Sequence, residues 1–307
     1  LIVAAATIFV PNFATAENFR DILKSQSILL LGALGVGAVI IAGGIDISLG
    51  AILGLAALAG AKAAAGGTFF SYTYGPQSLP VIILAPLLVG GLLGAINGLV
   101  TVYGRVHSIV VTLGAMFILQ GVMLEIMGNK WLFNLPESIT SLGRGAMIAG
   151  IPNLILFGGL GVIVTGILLG HTVTGRRWYA LGGDGASARL LGVNPRVSLP
   201  LAFAFSGILV GLAGLLHAGF YGQVQTTAGR GYELKAIAAA VIGGVHIMGG
   251  RGTALGILLG ALLLGVISNL RVFLHISAFW DDAITGAIIL LAVCADALNS
   301  RRERKAV

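Results

Sequence analysis

The sequence predicts an all-α polytopic membrane protein, a transmembrane helical bundle of about ten spans making one domain over residues 1–307. Three observations carry this. Apolar residues make up 57% of the chain and charged residues only 9%, against about 25% charged in an ordinary soluble domain. Mean hydropathy is +1.01. The apolar residues also fall into runs close to the roughly 20 that cross a bilayer. A soluble fold could bury many such residues but could not cover its surface with so few charges. The 48 glycines fit the same solvent, since glycine is more frequent in membrane helices than in soluble ones.

Taken in order, residues 1–10 are too short to span alone and read as the tail end of a first span, truncated at its start. Ala14-Thr15-Ala16 resembles a signal cleavage site, but no basic region precedes it. The following spans are expected at 27–43, 49–65, 79–102, 108–127 and 148–170. A polar stretch, 171–196, then separates the sixth span from the seventh at 199–220. The eighth, 234–245, barely reaches across. The ninth is 253–270 and the tenth 279–298. Several spans carry small residues four apart: Gly90, Gly94 and Gly98; Gly207 and Gly211; Gly252, Gly256 and Gly260. Such faces let helix backbones approach closely in lipid.

The net charge is +7. The basic residues sit in short loops and at the C-terminus, without the interleaved aromatics of a nucleic-acid surface, so no nucleic-acid partner is expected. With the C-terminus cytoplasmic, the loops holding Arg105, Arg176, Arg177, Arg189, Arg196 and Arg251 are cytoplasmic too. The longest outside loops are then 11–26, 128–146 and 221–233. Cys294 is the single cysteine, which excludes an intrachain disulfide, and it reads as a small packing residue.

Three motifs interrupt the apolar pattern. In GGIDISLG, 43–50, two glycines and Asp46 break an apolar stretch. A carboxylate at the bilayer centre costs about 2.5–3.5 kcal/mol on insertion scales, and unwound backbone is tolerated there only against a cavity or buried in protein. Asp46 and Ser48 therefore either border a polar path or form a cytoplasmic turn in which Asp46 caps the next helix. An echo of this motif, AVIIAGGIDI around Asp46 against AVIGGVHI around His246, is accounted for equally by chance and by duplication.

In GRRWYALGGDGASARLLGVNPR, 175–196, Asp184 is a natural N-cap, 186–191 a short helix, and Gly192 a stop before Pro195. Two turns are unstable alone in water, so Leu190 and Leu191 call for a partner's cleft or the membrane surface. In GYELKAIAAAVIGG, 231–244, Glu233 and Lys235 stand at the outer mouth of a short span. They either meet a delivered solute or form an interfacial pair, with Lys235 snorkelling. Asn97, Thr112, Gln120 and Ser206 are polar residues inside spans; each either lines a path or bonds a neighbouring helix. There is no GxxxxGK[ST] and no HExxH, and the five histidines are scattered. No catalytic constellation, metal site or cofactor of the chain's own is expected.

At these residues the chain resembles the permease subunits of bacterial ABC sugar importers of the ribose, rhamnose and autoinducer-2 type. The likeness runs through GGIDISLG, GAINGLVTVYGRVHSIVVTLGAMFILQGV from Gly94, ALGGDGASARLLGVN from Ala180 and ELKAIAAAVIGGVHIMGGRGT from Glu233, in that order. GNKWLFNLP from Gly128 and HISAFWDDAITG from His275 look most like the rhamnose and autoinducer-2 members. The resemblance implies a bacterial inner-membrane location and a pair of permease subunits, identical or homologous. It also implies two cytoplasmic ATPase modules that use the ATP, and a periplasmic or lipid-anchored sugar-binding protein. It gives Gly185, Ala188, Arg189, Leu191 and Gly192 the role of coupling to the ATPases. The path residues expected are Asp46, Ser48, Asn97, Thr112, Gln120 and Glu233. A stand-alone secondary transporter or facilitator is the alternative, since glycine-broken helices suit transporters generally.

Overall fold

A computed structural model describes residues 13–69, 72–128 and 130–277, together with Thr7, Trp280, 283–288 and Leu290. Helix α1 is Ala16–Ile41, longer than the expected 27–43. Thr15 caps it by accepting from the Asn18 N–H. Its outer turns carry Glu17, Arg20, Asp21 and Lys24, whose polarity reads as loop against a bilayer-length ruler although capped helix formers occupy it. Helix α2, Leu49–Ala65, has the expected bounds. A small hairpin follows, strands β1 Gly67–Phe69 and β2 Tyr72–Tyr74, so among the described residues the fold departs from all-α here.

Helix α3 is Leu79–Gly104 and α4 Ser108–Met127. A short α5, Glu137–Arg144, lies in the connection to α6, Asn153–His171, whose start is delayed past 148 by Pro152. The polar stretch 171–196 holds two helices rather than one, α7 Val173–Gly183 and α8 Gly185–Leu190. Then come α9 Pro195–Tyr221, α10 Tyr232–Ile242 and α11 Ala254–Phe273. Among the described residues, six helices could by length and composition cross a bilayer: α1, α3, α4, α6, α9 and α11. Helix α2 is apolar but shorter. The expected first span, Thr7 aside, and most of the tenth lie outside the described residues.

Helices α1, α2 and α9 form the interior, with α2 buried along nearly its whole length. Around them α3, α4, α6 and α11 turn leucines, isoleucines and phenylalanines outward, among them Leu88, Phe117, Ile163 and Leu259. Lipid is the solvent for that surface. The small-residue faces do what their spacing predicts: Gly90, Gly94 and Gly98 of α3 meet the backbone of α9 at Gly207, Phe203 and Pro200. Gly256 and Gly260 of α11 meet Gly243, just past the end of α10, and Ala239 within it. Helices alternate in direction, so the ends of α1, α3, α6 and α10 gather at one end of the bundle. That end carries Arg105, Arg176, Arg177, Arg189, Arg196 and Arg251.

Candidate functional site

The first break in helical backbone is 42–48. Gly43 takes φ +87°, a left-handed conformation that ends α1. The chain then has no ladder partner, and side chains satisfy it instead. Ser108 Oγ accepts from the Ile45 N–H at 3.0 Å, and Thr112 Oγ1 from the Ile47 N–H at 3.1 Å. Asn97 Nδ2 donates to Ser48 Oγ at 2.8 Å. Ser48 donates its hydroxyl (2.6 Å) and its N–H (2.9 Å) to Asp46 Oδ1. Asp46, Ser48, Asn97 and Thr112 are all buried, and Asp46 Oδ2 has no partner. Four of the six expected path residues thus form one interior network. Asp46 does close a turn, and a buried one: it is held against Asn97 of α3 through Ser48 and lies beside Ser108 and Thr112 in the first turns of α4.

The second break is 222–231. Gly222, at φ +69°, ends α9, and Val224 pairs with Leu132 at the outer end. From there the loop does not stay outside. Ala228 and Gly229 descend onto Gly54 and Gly50 of α2. Tyr232, the first residue of α10, lays its ring on Gly32 and donates its hydroxyl to the Ile28 carbonyl near the middle of α1. At 11 residues, α10 is about 16 Å long, half a membrane. The expected eighth span is therefore a half-helix completed by a re-entrant loop, and the loop at 221–233 reaches the depth where α2 begins.

Two cavities flank this loop. The larger, about 720 Å³, is lined by Gln26, His217, Tyr221, Thr227, Arg230 and Lys235, among others. The smaller, about 270 Å³, is lined by Ala51, Gln120, Met123, Thr227 and Arg230 among others. Gln120 thus reaches a cavity, whereas Asp46, Ser48, Asn97 and Thr112 line neither. Glu233 is half-buried beside Gly50, and accepts from the Gly231 N–H at 3.2 Å. Among the described residues, no group of histidine, cysteine, aspartate and glutamate could hold a metal ion. Sequence reasoning missed Thr227, Arg230 and His217. Their signal was faint: Gly229 and Gly231 bracketing an arginine in what reads as an outside loop.

At the basic end, Asp184 accepts from the N–H groups of Ala186 and Ser187 and from the Ser187 hydroxyl. Those bonds, the Ser187 hydroxyl foremost, hold its carboxyl below the usual range. Helix α8 so capped buries Ala188 and leaves Arg189 exposed, with Leu190 and Leu191 at 90% and 83% exposure. Gly185 opens α8, and Gly192, at φ +82°, closes the segment. Trp178 of α7 is buried and donates from Nε1 to the Ser198 carbonyl at 2.8 Å, tying this segment to the start of α9.

Residues 18–293 match the family model described as branched-chain amino acid transport system / permease component. The chain belongs to this family. It is 37% identical to the autoinducer 2 import system permease protein LsrC of Enterobacter sp. (strain 638), over 93% of this chain and 80% of the relative. Against the LsrC protein of Klebsiella pneumoniae subsp. pneumoniae the identity is 39% over the same shares. Against the ribose import permease protein RbsC of Escherichia coli (strain K12) it is 34%, over 96% of this chain and 90% of the relative. No solved structure matches the chain. The relatives are transport permeases rather than enzymes, and the apolar helices make this permease a multi-pass membrane protein.

Proposed function

We propose that this permease is the membrane-spanning subunit of an ATP-driven importer in the bacterial inner membrane. It moves a monosaccharide or related small solute of the ribose, rhamnose or autoinducer-2 class by alternating access. Two such subunits of about ten spans each stand side by side, two cytoplasmic ATPases supply the energy, and a periplasmic or lipid-anchored binding protein delivers the solute. The observation that carries the reading is irregular backbone at membrane depth bordering polar cavities, which lipid tolerates only where a cavity or protein surrounds it. The likeness to LsrC and RbsC supplies the solute class.

Helix α8 suits the ATPase contact: it is capped, stands at the basic end, and presents Leu190, Leu191 and Arg189 to solvent. The test is uptake of radiolabelled ribose and autoinducer-2 into vesicles holding the permease, its ATPase and its binding protein. Leu191→Asp and Arg189→Glu should abolish uptake while hydrolysis continues and the binding protein still captures solute. Transport by the permease alone, without ATPase, would overturn the reading.

A further inference from the structure

The two cavities are distinct spaces with one wall in common. Thr227 and Arg230 line both. The wall is a run of turns closed by its own backbone: Ala228 N–H to the Gln225 carbonyl (3.0 Å), Arg230 N–H to the Thr227 carbonyl (3.1 Å) and Tyr232 N–H to the Gly229 carbonyl (3.0 Å). Among the described residues it makes no backbone hydrogen bond to α2, only close packing of Ala228 and Gly229 on Gly54 and Gly50. Gly229 and Gly231, both at positive φ (+85° and +78°), flank Arg230. Such a wall can shift as a unit without breaking a helix.

An ionised side chain at membrane depth is expensive and by default functional. Arg230 has Glu233 as a neighbouring carboxylate, yet it is largely exposed and turned to the cavities. The guanidinium is a planar fork of donors that can bond two adjacent oxygens at once. The larger cavity adds His217, whose Nδ1 is buried without a partner, and whose ring stands 4.6 Å from that of Tyr221. Gln26 completes its polar lining, and the smaller cavity offers Gln120 instead. Flat rings with converging amide, imidazole and guanidinium groups fit the apolar face and adjacent hydroxyls of a sugar-sized polyol.

We infer that Arg230 is the solute-contacting residue shared by both cavities, and that the stretch 227–230 is the partition whose displacement joins them. The inference rests on the reading of this chain as an importer permease. The larger cavity holds the polyol against His217 and Tyr221, and Arg230 stays bonded to adjacent hydroxyls as the solute passes towards Gln120.

Two measurements on the complete importer test this. In a Cys294→Ala background, Thr227→Cys and Arg230→Cys are exposed to a membrane-impermeant methanethiosulfonate reagent in right-side-out and inside-out vesicles, with and without ATP. Trp131→Cys and Met248→Cys, at opposite ends of the bundle, report sidedness. Both loop positions should react from both faces across the ATP states; reaction from one face only, in every state, overturns the partition. Radiolabelled ribose and autoinducer-2 uptake is then compared for Arg230→Gln and Arg230→Lys. Loss of charge-assisted bonds to the solute should raise KM about tenfold or more in Arg230→Gln, with partial recovery in Arg230→Lys. Wild-type KM in Arg230→Gln, beside a transporting wild type, defeats the inference alone. A wild type that takes up none of ribose, autoinducer-2 and radiolabelled rhamnose defeats the functional reading, and the thiol pattern still judges the partition.

Discussion

At the scale of single residues, the network around Asp46 makes a sharp claim. Ser48 accepts from Asn97 and donates twice to Asp46. Ser48→Ala orphans the buried Asn97 amide and removes the carboxylate's hydroxyl donor, so it should cost about 1–3 kcal/mol. Adding Asn97→Leu should recover part of that loss, since removing both partners of a buried bond is milder than removing one. A double-mutant cycle on denaturant unfolding in detergent measures the coupling; additive losses would mean the bond is idle. Asp184 makes the second claim. Its carboxyl is depressed by hydrogen bonds from Ser187 and Ala186. The cap it provides is therefore complete above the ordinary carboxylate range and is lost as pH falls through the lowered value. Protection of the Ala186 and Ser187 amides, taken relative to their intrinsic exchange rates, should be present at neutral pH, fall away as acid protonates Asp184, and be lost at every pH in Asp184→Ala. The polar residues of both clusters were legible in the sequence as interruptions of apolar runs. That Asn97 and Thr112 converge on 45–48 was not, because packing of α3 and α4 beside the break brings them there.

At the scale of elements, legibility followed solvent. Helix α4 matches its expected bounds, and α2 likewise, because apolar length and the turns around them leave no ambiguity. The outer turns of α1 and all of α7 were missed for the opposite reason: both are polar helices outside an apolar run, held by Thr15 and by burial of Trp178. The re-entrant loop was illegible because 11 helical residues and a glycine-rich turn look the same whether they cross half a membrane or cap its edge. The glycine faces were legible, and they separate packing from tolerance. A Cβ on Gly207 would run into the Gly90 carbonyl, whereas one on Gly114, on the outer side of α4, meets nothing within 4 Å. Gly207→Ala should therefore force α3 and α9 apart at a cost of about 1–3 kcal/mol. Gly114→Ala should be neutral or gain up to about 1 kcal/mol from helix propensity. Thermal unfolding of the two variants in the same detergent decides; equal shifts would deny that the α3–α9 contact is set by backbone approach.

At the scale of the molecule, the question is how a push on α8 would reach cavities half a membrane away. Gly182 is the next-to-last residue of α7, two residues before the cap of α8, and three chain segments meet there. A Cβ at that position would touch the Ile41 carbonyl, stand 2.7 Å from the Gly250 nitrogen and 3.0 Å from the Gly43 nitrogen. The Gly250 N–H donates to the Ile41 carbonyl at 3.0 Å, and the Tyr179 hydroxyl of α7 to the Gly252 carbonyl at 2.6 Å. Gly43 leads through the Asp46 network to the start of α2, and Gly250 lies in the connection from α10 to α11. Both helices whose first turns border the partition are thus joined to the segment that carries α8, with backbone packed on backbone where the segments meet at Gly182. Backbone in contact with backbone leaves no side chain to rotate away, so displacement is passed on rather than absorbed. Gly182→Ala should separate these segments and lower solute moved per ATP hydrolysed by about tenfold, within the usual range of coupling between sites. Gly183→Ala is the matched control, since its Cβ would find only the Gly250 Cα, at 4.0 Å; it should transport normally. Simultaneous assay of hydrolysis and uptake in vesicles, with assembly checked by co-purification of the ATPase, reads the ratio directly. If Gly182→Ala assembles and keeps the wild-type ratio, the force takes another route, and the contact from Trp178 to Ser198 at the start of α9 becomes the one to cut.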